Sequence, residues 1–130
     1  MRNFKLVIFV LFITVNANCQ KNINLPFLGT KYFNFQGGSC CLQSITIYKD
    51  GSCVIKGYQA PEWGDDVVEI YKGKYTSVIW VMDEKGKKEY AYKIEKGFIT
   101  SLDKFGKPER GCLEENKICR VTLENFKYLK

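Results

Sequence analysis

The chain has 130 residues, 45% of them hydrophobic, with 20 basic and 14 acidic side chains and a formal net charge of +6. It contains no histidine, which excludes Ser-His and Cys-His nucleophile pairs and histidine-ligated metal sites. Basic and acidic residues are interspersed, so the charge predicts a solvated surface and not a nucleic-acid interface.

Residues 1–19 have the features of an export signal. Arg2 and Lys5 form a basic start, and the apolar run 6–15 follows them. This run is too short for a membrane-spanning helix, which needs roughly 20 residues, but it has the length of a signal-peptide core. We therefore predict a single extracytoplasmic domain over residues 20–130, which is periplasmic, anchored to the outer membrane or secreted.

Cys19 ends this segment and leaves its processing open. Signal peptidase has small-residue sites after Ala17 and after Cys19. In the alternative, the position of Cys19 behind the small Ala17 resembles the acylated cysteine of a bacterial lipoprotein. Cys19 is therefore the lipidation candidate, and its acyl chains would attach the protein to a membrane.

The region after the signal alternates apolar and polar residues over short runs that are separated by glycine-containing turns. No window shows the apolar stripe of a helix. Strands are predicted at 31–36, 42–48, 52–58, 66–72, 75–82, 88–94, 98–103 and 117–123. Consecutive hairpins of this kind predict an all-β antiparallel meander of about eight strands, either an up-and-down barrel or a two-sheet sandwich.

Three connections end in glycine, at 49–51, 84–86 and 95–97. Each predicts a three-residue hairpin loop whose glycine takes a positive φ. The first loop pairs Ile45 with Ile55.

The other two loops predict one apolar face shared by three strands. The expected cross-strand pairs are Trp80–Tyr90, Val78–Tyr92, Tyr92–Thr100 and Tyr90–Leu102. The inward set is then Val78, Trp80, Tyr90, Tyr92, Ile94, Phe98 and Leu102. Ile79 and Val81 would point outward and mark a partner surface or a contact with the N-terminal segment.

Two groups of residues are candidates for binding. The inward Trp80, Tyr90 and Tyr92 either line a ligand cavity or fill the core. The loop 59–66 places Trp63 beside three carboxylates, those of Glu62, Asp65 and Asp66. This loop is either a binding lip, a calcium site or a plain connection in which Trp63 covers the end of the fold.

The remaining cysteines are 40, 41, 53, 112 and 119. Cys112 and Cys119 bracket a short loop, and by analogy with disulfide-clipped loops in exported domains we predict a bond between them. Cys41 and Cys53 lie about 20 Å apart in the predicted hairpin, too far for a disulfide. Cys53 is then a small buried hydrophobic residue, and Cys40 or Cys41 reaches another strand or the N-terminal segment.

The strand count, the meander order and the start Gly73-Lys74-Tyr75 resemble the lipocalin-like and calycin-like small barrels of bacterial envelopes. The resemblance implies an aromatic ligand cavity inside the fold. We therefore expect a non-enzymatic envelope module, without metal or cofactor, that binds a small apolar or aromatic ligand or an envelope protein. The alternative is an exported structural or inhibitor protein that acts through its outer surface and has a solid core.

Overall fold

The computed structural model describes residues 24–37, 41–58 and 67–125. Within these ranges the chain forms eight antiparallel strands and no helix, which confirms the all-β prediction. The strands are β1 (Gly29–Phe33), β2 (Gln43–Ile47), β3 (Ser52–Tyr58), β4 (Val67–Lys74), β5 (Val78–Met82), β6 (Lys88–Glu95), β7 (Phe98–Leu102) and β8 (Arg120–Thr122). Each of them overlaps a strand that the alternation of apolar residues predicts.

The strands form two four-stranded sheets, each in sequence order, β1 to β4 and β5 to β8. The sheets are joined at one edge, where Tyr32 and Glu124 exchange backbone hydrogen bonds of 2.7 and 2.8 Å. Among the described residues no ladder joins β4 to β5. The meander is therefore a two-sheet sandwich, the second of the two predicted arrangements, and not a closed barrel.

The core lies between the two sheets, because alternate residues of each strand point to the same face. In the first sheet Ile45, Ile47 and Ile55 are almost completely buried, and in the second sheet Ile79 and Ile99 are. The rest of the buried cluster is Phe33, Phe35, Cys53, Val81, Tyr92, Ile94, Cys119 and Leu123.

The loop 49–51 has the predicted geometry. Gly51 takes a φ of 87°, and its amide donates to the Tyr48 carbonyl across the turn. The register that follows pairs Ile45 with Ile55 and Ile47 with Cys53, as predicted. This hairpin is the part of the first sheet that local turn chemistry determines.

The predicted register of β5 and β6 is wrong by one residue. The turn closes as predicted, with the Asp83 amide bonded to the Lys87 carbonyl. A β-bulge follows, since Met82 pairs with Lys88 but Val81 pairs with Tyr90, and Glu89 has no partner in the ladder. The extra residue moves every later pair, so Trp80 lies opposite Ala91 instead of Tyr90.

The predicted register of β6 and β7 is also wrong by one residue. Their loop has two central residues instead of three, because Glu95 pairs directly with Phe98. Lys96 has a φ of 40° and Gly97 a φ of 85°, the two positive values that the favoured two-residue hairpin turn requires. Lysine is an unusual residue at such a position, and the sequence therefore favours the longer loop.

The first shift exchanges the two faces of β5. The second shift turns Phe98 of β7 to the outer face. Ile79 and Val81 are core residues, with 1% and 8% of their surfaces exposed, so the outward orientation predicted for them is wrong and they form no partner surface. Leu25 and Phe27 of the N-terminal segment pack against the buried cluster that contains both residues. Trp80 lies on the outer face, and Phe98 is 46% exposed. Every residue of β5 is apolar, so alternation alone does not distinguish its two faces.

Candidate functional site

Of the two roles expected for Tyr92, lining a ligand cavity or filling the core, the structure shows the second. Its side chain is 2% exposed and packs edge to face on Phe33 and stacks on Phe35, with ring centroids 5.8 and 6.3 Å away. Its hydroxyl donates to Gln43 Oε1 at 2.7 Å, which connects β6 to β2 of the other sheet. Burial raises the pKa of Tyr92 far above its ordinary value. Tyr92 therefore links the two sheets through its side chain.

Tyr90 lies at the boundary between this core and solvent. It is half-buried, and its ring packs edge to face on Tyr92 with centroids 5.6 Å apart. Its pKa is raised, first by burial and then by the nearby carboxylates of Glu89 and Glu109. The Tyr90 ring therefore packs against the core, and the carboxylates of Glu89 and Glu109 lie near this side chain.

An open groove of about 410 Å³ lies next to Tyr90. One wall comes from the start of β6 and the other from the segment that follows β7. The lining residues are Glu89, Tyr90, Asp103, Lys104, Phe105 and Glu109. The groove combines two aromatic rings with three carboxylates, and of its residues only Tyr90 was a sequence-based candidate.

The loop 103–107 forms one wall of the groove and is held by Asp103. Oδ1 of Asp103 accepts hydrogen bonds from the amides of Phe105 and Lys107 at 2.9 and 3.0 Å. The Asp103 amide donates to the Lys107 carbonyl, and Gly106 takes a φ of 81°. These bonds present Phe105 at the tip of the loop with 75% of its surface exposed, the largest fraction for a large apolar side chain in the described ranges.

A repeated sequence pattern indicates this loop, which is not among the predicted turns. The pattern Asp-x-x-Gly-Lys occurs at 83–87 and again at 103–107. In both copies the aspartate Oδ1 caps two amides of its own loop, since Asp83 accepts from Lys85 and Lys87. Aspartate commonly closes turns in this way. The second copy differs from the first in having Phe105 where the first has Lys85.

The two glutamates of the groove are placed by different features of the second sheet. Glu89 is the extra residue of the bulge in β6 and therefore has no partner in the β5 ladder. Glu109 Oε1 accepts a hydrogen bond of 2.7 Å from the Ser101 hydroxyl on β7. Bulges often redirect a side chain next to a functional site, and here the bulge brings Glu89 to the groove.

Trp80, the other candidate of the second sheet, lies on the outer face of that sheet, next to the loop 103–107. The Lys88 ammonium lies 4.4 Å from the centroid of its ring. A Cβ atom on Gly106 would lie 3.7 Å from the same ring, which is ordinary van der Waals contact. Trp80 therefore packs against the loop that carries Phe105, and it does not line the groove.

The predicted loop residues Glu62, Trp63, Asp65 and Asp66 lie outside the described residues, as does Cys19. Among the residues that the structure does describe, no group of three or more histidine, cysteine, aspartate or glutamate side chains is arranged to hold a metal ion. No helix in these ranges has the length and hydropathy needed to span a membrane.

Cys53, Cys112 and Cys119 follow the prediction, and the thiol of Cys41 donates to Gln36 Oε1 at 3.4 Å. Cys112 and Cys119 form a disulfide, with Cα atoms 5.4 Å apart. Cys53 is completely buried in the core, where burial raises its thiol pKa to about 11. A thiol in this state is a poor nucleophile, because the reactive form is the thiolate.

Comparison of the chain with known protein families, with curated proteins and with solved structures found no match.

Proposed function

We propose that the protein is an exported, non-enzymatic envelope module that binds a small ligand or a partner protein in the groove between Tyr90 and Phe105. The observation that carries this proposal is the distribution of aromatic side chains. Phe33, Phe35 and Tyr92 fill the space between the sheets, whereas Phe105 is 75% exposed beside an open groove of about 410 Å³. This volume lies at the lower end of the range for small-molecule sites, and the open groove leaves one side of a bound ligand in solvent.

Export is supported by two independent features. Residues 1–19 have the pattern of a signal peptide, and the chain forms a disulfide between Cys112 and Cys119. Disulfides of this kind persist in oxidising compartments outside the cytoplasm. Intact-mass measurement of the protein from its native envelope tests this part. We expect loss of the N-terminal segment, and a mass increase by acyl chains would assign Cys19 as a lipid anchor.

A second candidate function rests on the outer face of the second sheet. Met82 and Phe98, at opposite ends of this face, are 49% and 46% exposed, whereas Ala91, Thr100 and Leu102 between them are buried. A structural or inhibitor protein would use such a surface to contact a partner.

Titration with small aromatic fragments, followed through the backbone amide signals, separates these functions. We expect the shifted signals to cluster at Tyr90, Phe105 and Glu109. Replacement of Phe105 by alanine should abolish these shifts, whereas Phe98→Ala, a matched change on the outer face, should leave them unchanged. Shifts centred on Phe98 would support the second candidate, and shifts confined to Ile55 and Ile79 would contradict both.

A further inference from the structure

The charges of the groove indicate which ligand it accepts. We infer that the groove selects a small organic cation, in which an ammonium or guanidinium group is attached to an apolar or aromatic body. This inference rests on the proposed function, because it assigns the chemistry of the ligand at the same site. Three carboxylates and two aromatic rings of the groove support the inference.

The carboxylates of Glu89, Asp103 and Glu109 lack a cationic partner in the described part of the chain. The ion pairs found there are Lys93–Glu95 and Lys117–Glu114, both outside the groove. The groove therefore carries three negative charges against the single positive charge of Lys104, on a chain whose formal net charge is +6.

The cations next to these glutamates in the sequence are held elsewhere. Lys88 precedes Glu89, but its ammonium lies over the Trp80 ring on the outer face, 4.4 Å from the centroid. Arg110 follows Glu109, and its guanidinium donates to the Asn116 carbonyl at 2.9 Å. Because Asp103 Oδ1 caps two amides and Glu109 Oε1 accepts from Ser101, the oxygens left for a ligand are the second one of each carboxylate and those of Glu89.

The aromatic walls add a second attraction for a cation. Tyr90 and Phe105 both line the groove, and a cation over an aromatic face gains cation–π stabilisation. The Lys104 ammonium already lies 5.2 Å from the Phe105 ring centroid, so this ring accepts an ammonium group in the free protein. An external cation would compete with Lys104 for that position.

The arrangement of the groove favours an organic cation over a metal ion. The carboxylates line a groove of about 410 Å³, and no metal-binding group of side chains is present within the described ranges. A metal ion needs oxygen atoms that converge at 2.0 to about 2.6 Å from one point. A larger cation with an apolar body contacts the rings and the carboxylates of the groove together.

Three probes of matched shape test this inference on the full mature protein. Phenethylamine carries the ammonium group, 2-phenylethanol is its neutral counterpart and 3-phenylpropionate is its anionic counterpart. We expect phenethylamine to shift the amide signals of Glu89, Tyr90, Phe105 and Glu109 and to bind at least about threefold more tightly than the alcohol. Added salt should weaken this binding, and the anion should show none.

Two sets of variants connect the binding to the carboxylates and to Lys104. Glu89→Gln/Glu109→Gln should weaken phenethylamine binding by about three- to tenfold, since each partly exposed ion pair contributes modestly. The control Glu84→Gln/Glu115→Gln makes the same charge change at exposed positions outside the groove and should leave binding unchanged. Lys104→Gln should strengthen binding, because it removes the internal competitor.

The outcomes distinguish the inference from the proposed function. Equal binding of phenethylamine and 2-phenylethanol at the groove would overturn the cation preference and leave the ligand-binding function standing. Unchanged phenethylamine binding in the Glu89→Gln/Glu109→Gln variant would also overturn the cation preference and leave the ligand-binding function standing. If none of the three probes shifts the groove signals, the small-ligand function proposed for the groove falls together with the inference.

Discussion

A polar group in the core of this sandwich needs a hydrogen-bond partner there. The hydroxyl of Tyr92 is buried among Phe33 and Phe35 and donates to Gln43 on the opposite sheet. A buried hydroxyl without a partner would cost free energy, so the Gln43 side chain stabilises this position. The same bond fixes one sheet relative to the other.

Replacement of Tyr92 by phenylalanine should lower the free energy of unfolding by about 1 to 2 kcal/mol. The ring packing remains, but the half-buried Gln43 carbonyl loses its donor. Urea denaturation at neutral pH measures the change. Tyr48→Phe is the matched control, because Tyr48 is 51% exposed, and it should change stability by less than about 0.5 kcal/mol. Equal stability of Tyr92→Phe and the wild type would show that the bond between the sheets contributes nothing.

At the scale of elements, the turn between β6 and β7 determines which face of each strand is buried. Lys96 takes a positive φ of 40° in front of Gly97. This conformation disfavours most side chains but is tolerated by asparagine, and Asn-Gly is a preferred pair for a two-residue hairpin turn.

The substitution Lys96→Asn should therefore stabilise the protein, by up to about 1 kcal/mol. Lys96→Val should destabilise it, since β-branched residues fit a positive φ poorly. Thermal unfolding of both variants tests the order. Lys85→Asn serves as the control, because Lys85 has a negative φ in its loop, and little change is expected there. A destabilised Lys96→Asn protein would contradict the two-residue turn.

The disulfide between Cys112 and Cys119 closes the segment that precedes β8. Cys119 is 3% exposed, and its backbone bonds to both Ser101 and Glu109. The bond thus secures the chain next to the second wall of the groove. By the loop-entropy relation, closure of so short a loop contributes about 2 to 3 kcal/mol.

The double variant Cys112→Ala/Cys119→Ala should lose about this amount of stability. Hydrogen exchange should accelerate mainly over residues 111–119, while the amides of Ile45 and Ile55 in the first sheet keep their relative protection. A reducing agent should bring the wild type close to the variant. An unchanged unfolding midpoint in the double variant would show that the bond does not stabilise the fold.

For the whole molecule, several buried groups connect stability to alkaline pH. Burial raises the thiol pKa of Cys53 to about 11 from an ordinary 9.0, and it also raises the phenol pKa of Tyr71, Tyr75, Tyr90 and Tyr92. In the unfolded chain these groups lose their protons at lower pH than in the folded protein. The unfolded state therefore gains relative stability as pH rises above about 9.

We expect the free energy of unfolding to be independent of these groups below pH 9 and to fall progressively above it. Denaturation at a series of alkaline pH values measures the slope. Cys53→Ala removes one of the groups and should show a shallower decrease than the wild type. The same slope in both proteins would show that the Cys53 thiol ionises equally in the folded and unfolded states.

The register of one hairpin follows from local sequence, whereas the orientation of β5 does not. The hairpin at Gly51 is predictable because its loop type fixes the register, and β2 and β3 alternate clearly. The faces of β5 are not predictable in this way. All five of its residues are apolar, and the bulge at Glu89 has no local signal.

The sequence predicts only one part of the groove. The pattern Asp-x-x-Gly-Lys predicts the loop 103–107, and Phe105 at its tip is visible as an unusual residue. That Glu89 and Glu109, 20 positions apart, lie beside the same Tyr90 depends on the bulge in β6 and on the Ser101 contact. Tertiary neighbours of this kind are set by register, which a single inserted residue changes.

The sequence by itself determined the class of the protein: an all-β meander with an N-terminal export pattern, a Cys112–Cys119 loop and no histidine chemistry. Alternation, glycine turns and composition are local properties, and they suffice for these conclusions. The tertiary structure alone decided that the sheets form a sandwich, that Ile79 and Val81 are buried and that the acidic groove forms at Tyr90. These features depend on strand register and on contacts between distant segments, because a shift of one residue reverses the face of every side chain that follows.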